Sequence, residues 1–211
     1  MMNLSEEVIE RRANELRVRL GLEAVSAPCM LSVLESFQER ARHFSFRTAN
    51  PGELGLDEAL MDEAAHTLVV RESVIEDVKA GRERARFTIA HELGHYLLGH
   101  KGMKQRTQRV TAYPTAQDRI EEAEANLFAS YFLVPTLLAL DVNSPEDIAM
   151  RFQVSTPAAE IAFERVGRAK RKAAGQRRRP PDSVIDFLKE AKRRGHPVRS
   201  DLSEFDSGEA D

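Results

Sequence analysis

Helical periodicity dominates the first forty residues of the chain. Ser5 stands before two acidic residues and an apolar face that recurs every three or four positions, which predicts a capped helix ending at Gly21. A second apolar stripe predicts a helix over residues 28–43. The period then changes, because the alternating segment 44–48 and the β-branched run 66–72 predict two strands of a small sheet, separated by a polar loop over 49–64.

The helical period returns over residues 84–100 and again over 117–133, and Pro135 follows the second helix. Two shorter helices are predicted next. Ser144 with Asp147 three residues later is typical of a capping box, with Pro145 in the first helical position. Ser155 is predicted to cap a second short helix. The pair is typical of a helix-turn-helix arrangement.

The composition changes sharply after residue 165. Eight basic residues and no acidic one lie between Arg165 and Arg179, followed by two prolines. Residues 182–194 predict a short amphipathic helix, and the acidic residues beyond it are typical of disorder. We therefore predict four parts: an N-terminal helix over 1–24, a core over 25–140, a helical subdomain over 141–166, and a basic linker with a helix and tail over 167–211.

Bulk properties narrow the chemistry of the protein. The chain has 211 residues, a net charge of -3 and a single cysteine, Cys29. The balanced charge predicts no overall affinity for nucleic acid, and the lone thiol excludes an intramolecular disulfide and a thiolate-rich metal site. No segment has the roughly 20 apolar residues of a membrane span, and the N-terminus lacks the apolar stretch of a signal peptide. These features predict a cytoplasmic protein without a membrane partner.

Three histidines and one glutamate interrupt the apolar helix predicted over 84–100, in the segment FTIAHELGHYLLGH. His91 and His95 are four residues apart, so both ring nitrogens can point at one ion. Zinc accepts such nitrogens and keeps a position open for water in catalytic sites. Glu92, about 100° round the helix, is placed to accept a proton from that water, whose pKa zinc lowers. This H-E-x-x-H spacing is typical of zinc peptidases, although a helix with scattered polar residues is the alternative.

A third ligand is expected from a carboxylate on the helix predicted over 117–133, whose first turns contain Glu121, Glu122 and Glu124. We favour Glu122. Asn126 lies four residues further along the same face, where its side chain can accept a hydrogen bond from the second nitrogen of a ligand histidine and fix the tautomer. Glu121 and Glu124 remain alternatives, and favourable charge near a helix N-terminus would also explain them.

Other polar residues are candidates for supporting roles. His100 lies about 140° from His95 on the helix, so we expect it to cap the helix C-terminus rather than bind the ion. A peptide oxyanion needs a hydrogen-bond donor, and Tyr113, between the two helices, is the main candidate for it. Tyr131 is on the opposite helix face from Glu122 and is expected in the core.

Two segments of the chain together resemble the ImmA/IrrE family of metallopeptidases. RFTIAHELGHYLLGH is similar to the family's R-F-T-x-A-H-E-x-G-H helix, and IEEAEANLFASYFLVP is similar to its E-x-E-A-N-x-F-A-x-x-L-x-x-P helix. The resemblance covers about residues 25–165. It implies an α+β, gluzincin-like fold in which a small mixed sheet lies beside the metal-bearing helices, followed by a helix-turn-helix-like subdomain.

The resemblance also implies a metal centre and a substrate-binding mode. One zinc ion per chain would be bound by His91, His95 and Glu122, with Glu92 as the catalytic base. The strand over 67–71 would be a sheet edge beside the cleft, where an extended substrate adds as a further strand. Sites of two histidines and one carboxylate also accept other divalent ions.

Members of this family commonly cleave a specific bacterial or phage transcription regulator. The resemblance therefore implies a zinc-dependent endopeptidase whose protein substrate is a helix-turn-helix repressor, cleaved to release stress or mobile-element genes. The alternative is a non-proteolytic regulator that binds a transcription factor or DNA through its helical and basic C-terminal region. In that interpretation Arg165–Arg179 contact DNA phosphates without sequence specificity, although an acidic protein partner suits the same charges.

Overall fold

The computed structural model describes residues 3–62, 64–100, 115–174 and 182–196. Within these ranges the chain forms eight α-helices, a three-stranded sheet and one turn of 3-10 helix at Leu137–Ala139, which confirms the α+β class. The strands are β1 (Ser45–Thr48), β2 (Ala59–Asp62) and β3 (Thr67–Val70). The helices are α1 (Glu6–Leu20), α2 (Met30–Arg40), α3 (Glu72–Lys79), α4 (Glu83–Leu98), α5 (Ala116–Leu133), α6 (Pro145–Phe152), α7 (Thr156–Ala173) and α8 (Asp182–Arg193).

The sheet is mixed, as predicted, but β3 is its central strand. The strand order is β1, β3, β2, with β1 parallel to β3 and β2 antiparallel to it. Two predictions were therefore wrong, because the segment 49–64 contains β2 rather than only a loop, and 67–71 does not form a sheet edge. The three consecutive buried residues Leu68–Val70 have the continuous apolar pattern of a strand covered on both faces.

Both ends of α1 follow local sequence signals. The Ser5 hydroxyl accepts a hydrogen bond from the Val8 amide at 3.4 Å, and Gly21 ends the helix in the left-handed conformation at a φ of 71°. Helix α1 then packs along α5. The Tyr131 hydroxyl donates to Glu6 Oε1 at 2.7 Å, and the Thr136 hydroxyl donates to Glu10 Oε1 at 2.6 Å. The N-terminal helix is thus part of the main core.

Helices α4 and α5 form the central pair of the core, and one glycine sets how closely they approach. A Cβ at Gly94 would lie 3.1 Å from Phe128 Cδ1 and 3.2 Å from the Ala125 carbonyl oxygen. Only a glycine therefore fits against α5 at this distance without a shift of its neighbours. The polar residues of the two helices meet directly beside this contact.

The C-terminal helices begin as predicted, but one is longer. The Ser144 hydroxyl accepts from the Asp147 amide at 3.1 Å at the start of α6. Helix α7 continues to Ala173 and so includes the first part of the basic run. The chain divides into two compact units, Met1–Gly167 and Arg168–Asp211, and the finer four-part division stays a prediction.

The second unit contains the predicted amphipathic helix, α8, on which Ile185 is buried and Phe187 is exposed. The predicted disordered tail lies outside the described residues. None of the described helices is long and apolar enough to cross a membrane.

Candidate metal centre

Three side chains from α4 and α5 converge at one point. The Nε2 atoms of His91 and His95 lie 3.0 Å apart. Glu122 reaches them from α5, with one carboxylate oxygen 3.4 Å from His95 Nε2 and the other 3.7 Å from His91 Nε2. Among the described residues, these three form the one group of histidine, cysteine and acidic side chains that is arranged to hold a metal ion.

Asn126 determines the protonation of His91. Its Oδ1 atom lies 2.9 Å from His91 Nδ1. An amide oxygen only accepts hydrogen bonds, so Nδ1 of His91 carries the proton and Nε2 presents a lone pair towards His95 and Glu122. This is the supporting contact that the sequence suggests for Asn126.

The surroundings of the centre favour neutral imidazoles. Burial, followed by the proximity of His95, lowers the pKa of His91 to about 4. Burial also lowers the pKa of His100. A neutral histidine is the form that binds a metal ion, so His91 is ready to act as a ligand near neutral pH without first losing a proton.

The centre has a closed side and an open side. His95 is 3% exposed, whereas the side chain of Glu122 is 33% exposed and Asn126 lies at the surface. Glu92 follows His91 on α4 and is itself buried, with 5% of its surface exposed. The open side of the centre is therefore the side of His91 and Glu122.

The alternative ligands lie elsewhere. Glu124 points to the opposite side of His95, where its Oε2 contacts His100 Nε2 at 2.9 Å and its Oε1 accepts from the Leu4 amide at 2.7 Å. Glu121 is buried and accepts a hydrogen bond from the side chain of Gln117 at 3.0 Å.

One of the two candidate tyrosines, Tyr131, lies among the described residues. Tyr131 is 3% exposed and belongs to the core, as expected. Tyr113 lies outside the described residues, so its proposed role at the oxyanion stays a prediction.

His100 differs from its predicted role. Its backbone amide donates to the His95 carbonyl at 3.1 Å and so helps to end α4, as a cap does. Its side chain, however, is 6% exposed and lies 3.0 Å from His95, measured between the two Nδ1 atoms. Sequence spacing alone did not identify this contact, because it depends on Glu124, which draws the ring of His100 inward from the neighbouring helix.

The residues present fit a divalent metal ion. Two imidazole nitrogens and a carboxylate are the ligand set of many catalytic zinc sites. Nitrogens bound to one zinc at tetrahedral angles are separated by about 3.3 Å, close to the spacing of the two histidines. The lone pair on Nε2 of His91 and the carboxylate of Glu122 also point into the same small space. A cation bound there would remove the repulsion between them.

Residues 35–164 match the family of the IrrE N-terminal-like domain, a peptidase family. The match includes α4 and α5 but leaves α1 outside. A solved structure of a Mycobacterium tuberculosis transcriptional regulator is similar, with a TM-score of 0.49 and 16% sequence identity over 72% of this chain and 45% of that chain. The chain thus spans less than half the length of that regulator. No curated protein matches the sequence.

Proposed function

The chain belongs to the family of IrrE N-terminal-like peptidases, and we propose that it is a zinc-dependent endopeptidase that cleaves a helix-turn-helix transcriptional repressor. The observation that carries the zinc-dependent activity is the convergence of His91, His95 and Glu122, with Glu92 next to the first ligand. The family resemblance supports the choice of a repressor as the substrate.

Each residue of the centre has a separate task in this proposal. His91, His95 and Glu122 hold the metal, and Asn126 keeps His91 in the binding tautomer. Zinc, when bound, supplies the Lewis acidity that makes water a nucleophile near neutral pH. Glu92 takes the proton from the attacking water and passes it to the amine that leaves from the cleaved peptide bond.

Strand β2 is the preferred place for the substrate backbone. It packs against α4, which carries two of the metal ligands, and within the described part of the chain β3 is its one strand partner. An extended peptide can therefore pair with the other edge of β2 and pass the metal centre. This replaces the expectation that 67–71 receives the substrate, since β3 is already paired on both sides.

Metal analysis and two substitutions test the proposal. The purified protein is expected to bind about one zinc ion per chain, as the resemblance implies. Glu92→Gln should keep the metal and lose cleavage, whereas His91→Ala should lose both. The substrate for the assay is a helix-turn-helix repressor, sought first among the products of the neighbouring genes, and two defined fragments are the expected products. Cleavage at the wild-type rate by Glu92→Gln would exclude Glu92 as the base.

The alternative function, a non-proteolytic regulator, has one observation in its favour. Arg168 and Arg171 are exposed on the last turns of α7 and can meet DNA phosphates. Arg165 is excluded from this role, because its buried guanidinium donates to the Ser130 hydroxyl at 2.7 Å and lies over the Tyr131 ring. The predicted DNA contact is therefore restricted to residues after 167.

The two functions differ in what happens to the repressor and in how charge affects binding. A repressor that stays intact but bound favours the alternative. Salt-sensitive DNA binding that falls when Arg168 and Arg171 are both replaced by glutamate would also support it. Cleavage that is unchanged in this double variant would assign the enzyme activity to the first unit.

A further inference from the structure

A chain of hydrogen bonds, buried except at its last contact, runs from His95 to the N-terminal segment. His95 Nδ1 lies 3.0 Å from His100 Nδ1, and His100 Nε2 lies 2.9 Å from Glu124 Oε2. The second oxygen of Glu124 accepts a hydrogen bond from the Leu4 backbone amide at 2.7 Å. His95, His100 and Glu124 are 3%, 6% and 6% exposed, so the contacts among these three side chains are buried, whereas the contact with Leu4 is partly buried.

The chemistry of Glu124 fixes every proton along this chain. A carboxylate only accepts hydrogen bonds, so Nε2 of His100 must carry a proton and donate it to Glu124. The neutral His100 ring then has its lone pair on Nδ1, where it accepts from His95. Nδ1 of His95 therefore carries a proton, so the neutral form of His95, the form that binds a metal ion, has its lone pair on Nε2. That atom is the one that faces His91 and Glu122.

The far end of this chain of hydrogen bonds belongs to a segment of the polypeptide outside the family match. Leu4 stands two residues before α1, and residues 35–164 are the ones that match the family. Helix α1 is held on α5 by the contact of Glu6 with Tyr131, and on the segment after α5 by the contact of Glu10 with Thr136. Attachment of α1 thus places the Leu4 amide against Glu124.

We propose that His100 and Glu124 are positioning residues that hold His95 in its metal-binding tautomer. The N-terminal segment supports them by donating a hydrogen bond from the Leu4 amide to Glu124. The proposal rests on the proposed metal site. It assigns the segment that leads into α1 a part in the metal centre, through a backbone amide rather than through a ligand side chain. His91 is supported separately, by Asn126, so the two histidine ligands have different supports.

Glu124→Gln tests the direction of the hydrogen bonds. Glutamine has nearly the same size, but one of its two terminal atoms is an NH2 group, which only donates. If its oxygen still accepts from Leu4, the NH2 group faces His100 Nε2 and forces it to accept. The protons then reverse along the chain, and His95 carries its proton on Nε2, where it blocks the metal. If the amide turns over, the NH2 group meets the Leu4 amide, and two donors face each other.

Glu124→Gln should bind zinc at least tenfold more weakly than the wild type, as measured by competition with a chromophoric chelator. Loss of an outer partner of a metal-bound histidine lowers metal affinity by about 10–100-fold. Ser130→Ala is the matched control, since it removes another partly buried hydrogen bond of α5, the one from Arg165, but leaves the chain of hydrogen bonds from His95 intact. It should keep the wild-type affinity. Equal affinities in wild type and Glu124→Gln would overturn the proposal.

A second pair of variants tests the N-terminal end. Leu4→Pro removes the amide hydrogen that Glu124 accepts, whereas Leu4→Ala keeps it and removes most of the side chain. The proline variant should bind zinc several-fold more weakly than the alanine variant. Equal affinities of these two proteins would remove the N-terminal segment from the proposal.

A direct measurement does not depend on any variant folding. Long-range 1H–15N NMR spectra of the metal-free wild-type protein should show His95 protonated at Nδ1 and His100 protonated at Nε2. A proton on Nε2 of His95 would overturn the proposal. If the wild type binds no zinc, the proposed function fails, whereas the NMR tautomers still decide whether the chain of hydrogen bonds exists as described.

Discussion

Gly94→Ala is the substitution that most directly tests how α4 and α5 shape the metal centre. The new Cβ would lie 3.1 Å from Phe128 Cδ1, and 3.2 Å from both Phe128 Cβ and the Ala125 carbonyl oxygen. Favourable contacts between carbon atoms begin at about 3.5 Å, so the helices must move apart by a few tenths of an ångström. Phe128 cannot turn aside, because it is fully buried and stacks on Phe132 with ring centroids 6.2 Å apart.

Two opposing effects set the change in stability. Overpacking a core costs about 1–3 kcal/mol, while alanine in place of glycine inside a helix contributes about 0.5–1 kcal/mol. We therefore expect the free energy of unfolding to fall by about 1–2 kcal/mol. Zinc affinity should also fall, because α4 carries the two histidines and α5 carries Glu122 and Asn126. Separation of the helices weakens both groups of contacts, and we expect about a tenfold loss of zinc affinity, or about 1.4 kcal/mol.

Chelator competition gives the zinc affinity, and urea denaturation of the metal-free protein gives the stability. Gly81→Ala is a suitable control, because its φ of 72° is strained for alanine but no heavy atom lies within 4 Å of the new Cβ. It should lose about 1–2 kcal/mol of stability and keep its zinc affinity. The reasoning would be refuted if Gly94→Ala were as stable as the wild type and bound zinc equally well.

Three further predictions concern single residues. Asn126→Leu should weaken zinc binding about tenfold, whereas Asn126→Asp, which can still accept from His91, should not, as measured by chelator competition. The metal-free protein should lose up to about 3 kcal/mol of stability as the pH falls from about 6.5 to about 4, because the unfolded chain protonates His91 before the folded protein does. Urea denaturation at several pH values measures this loss, and His91→Gln should flatten it. Arg165→Met should cost about 2–3 kcal/mol by leaving its buried acceptors unpaired, with no change in zinc affinity, and urea and chelator titrations check both parts.

Local sequence signals were sufficient for much of the helical framework. The cap at Ser5, the left-handed Gly21 and the bounds of α4 and α5 follow from side-chain chemistry within a few residues. The spacing of His91 and His95 is likewise a property of one helix. Predictions of this kind succeed because the helix itself determines which side chains share a face.

The errors occurred where a structure depends on distant partners. Strand β2 has only four residues, Ala59–Asp62, and their types have little preference for strands, so its pairing with β3 left no local signal. Arg165 appeared to be one of many basic surface residues. Its burial follows from acceptors on Ser130 and Val134, more than thirty residues earlier in the chain.

The two histidine ligands of one motif occupy unequal environments, and this difference has consequences for the enzyme. His91 is held by one exposed amide and lies on the open side, whereas His95 is held by two buried groups and a backbone amide from beyond the family match. A mismatched donor costs more when it is buried, because water cannot replace the missing partner. Substitutions along the chain of hydrogen bonds from His95 should therefore lower the zinc affinity more than substitutions at Asn126. In the proposed enzyme, His91 and Glu122 are then the ligands best able to adjust when a peptide enters.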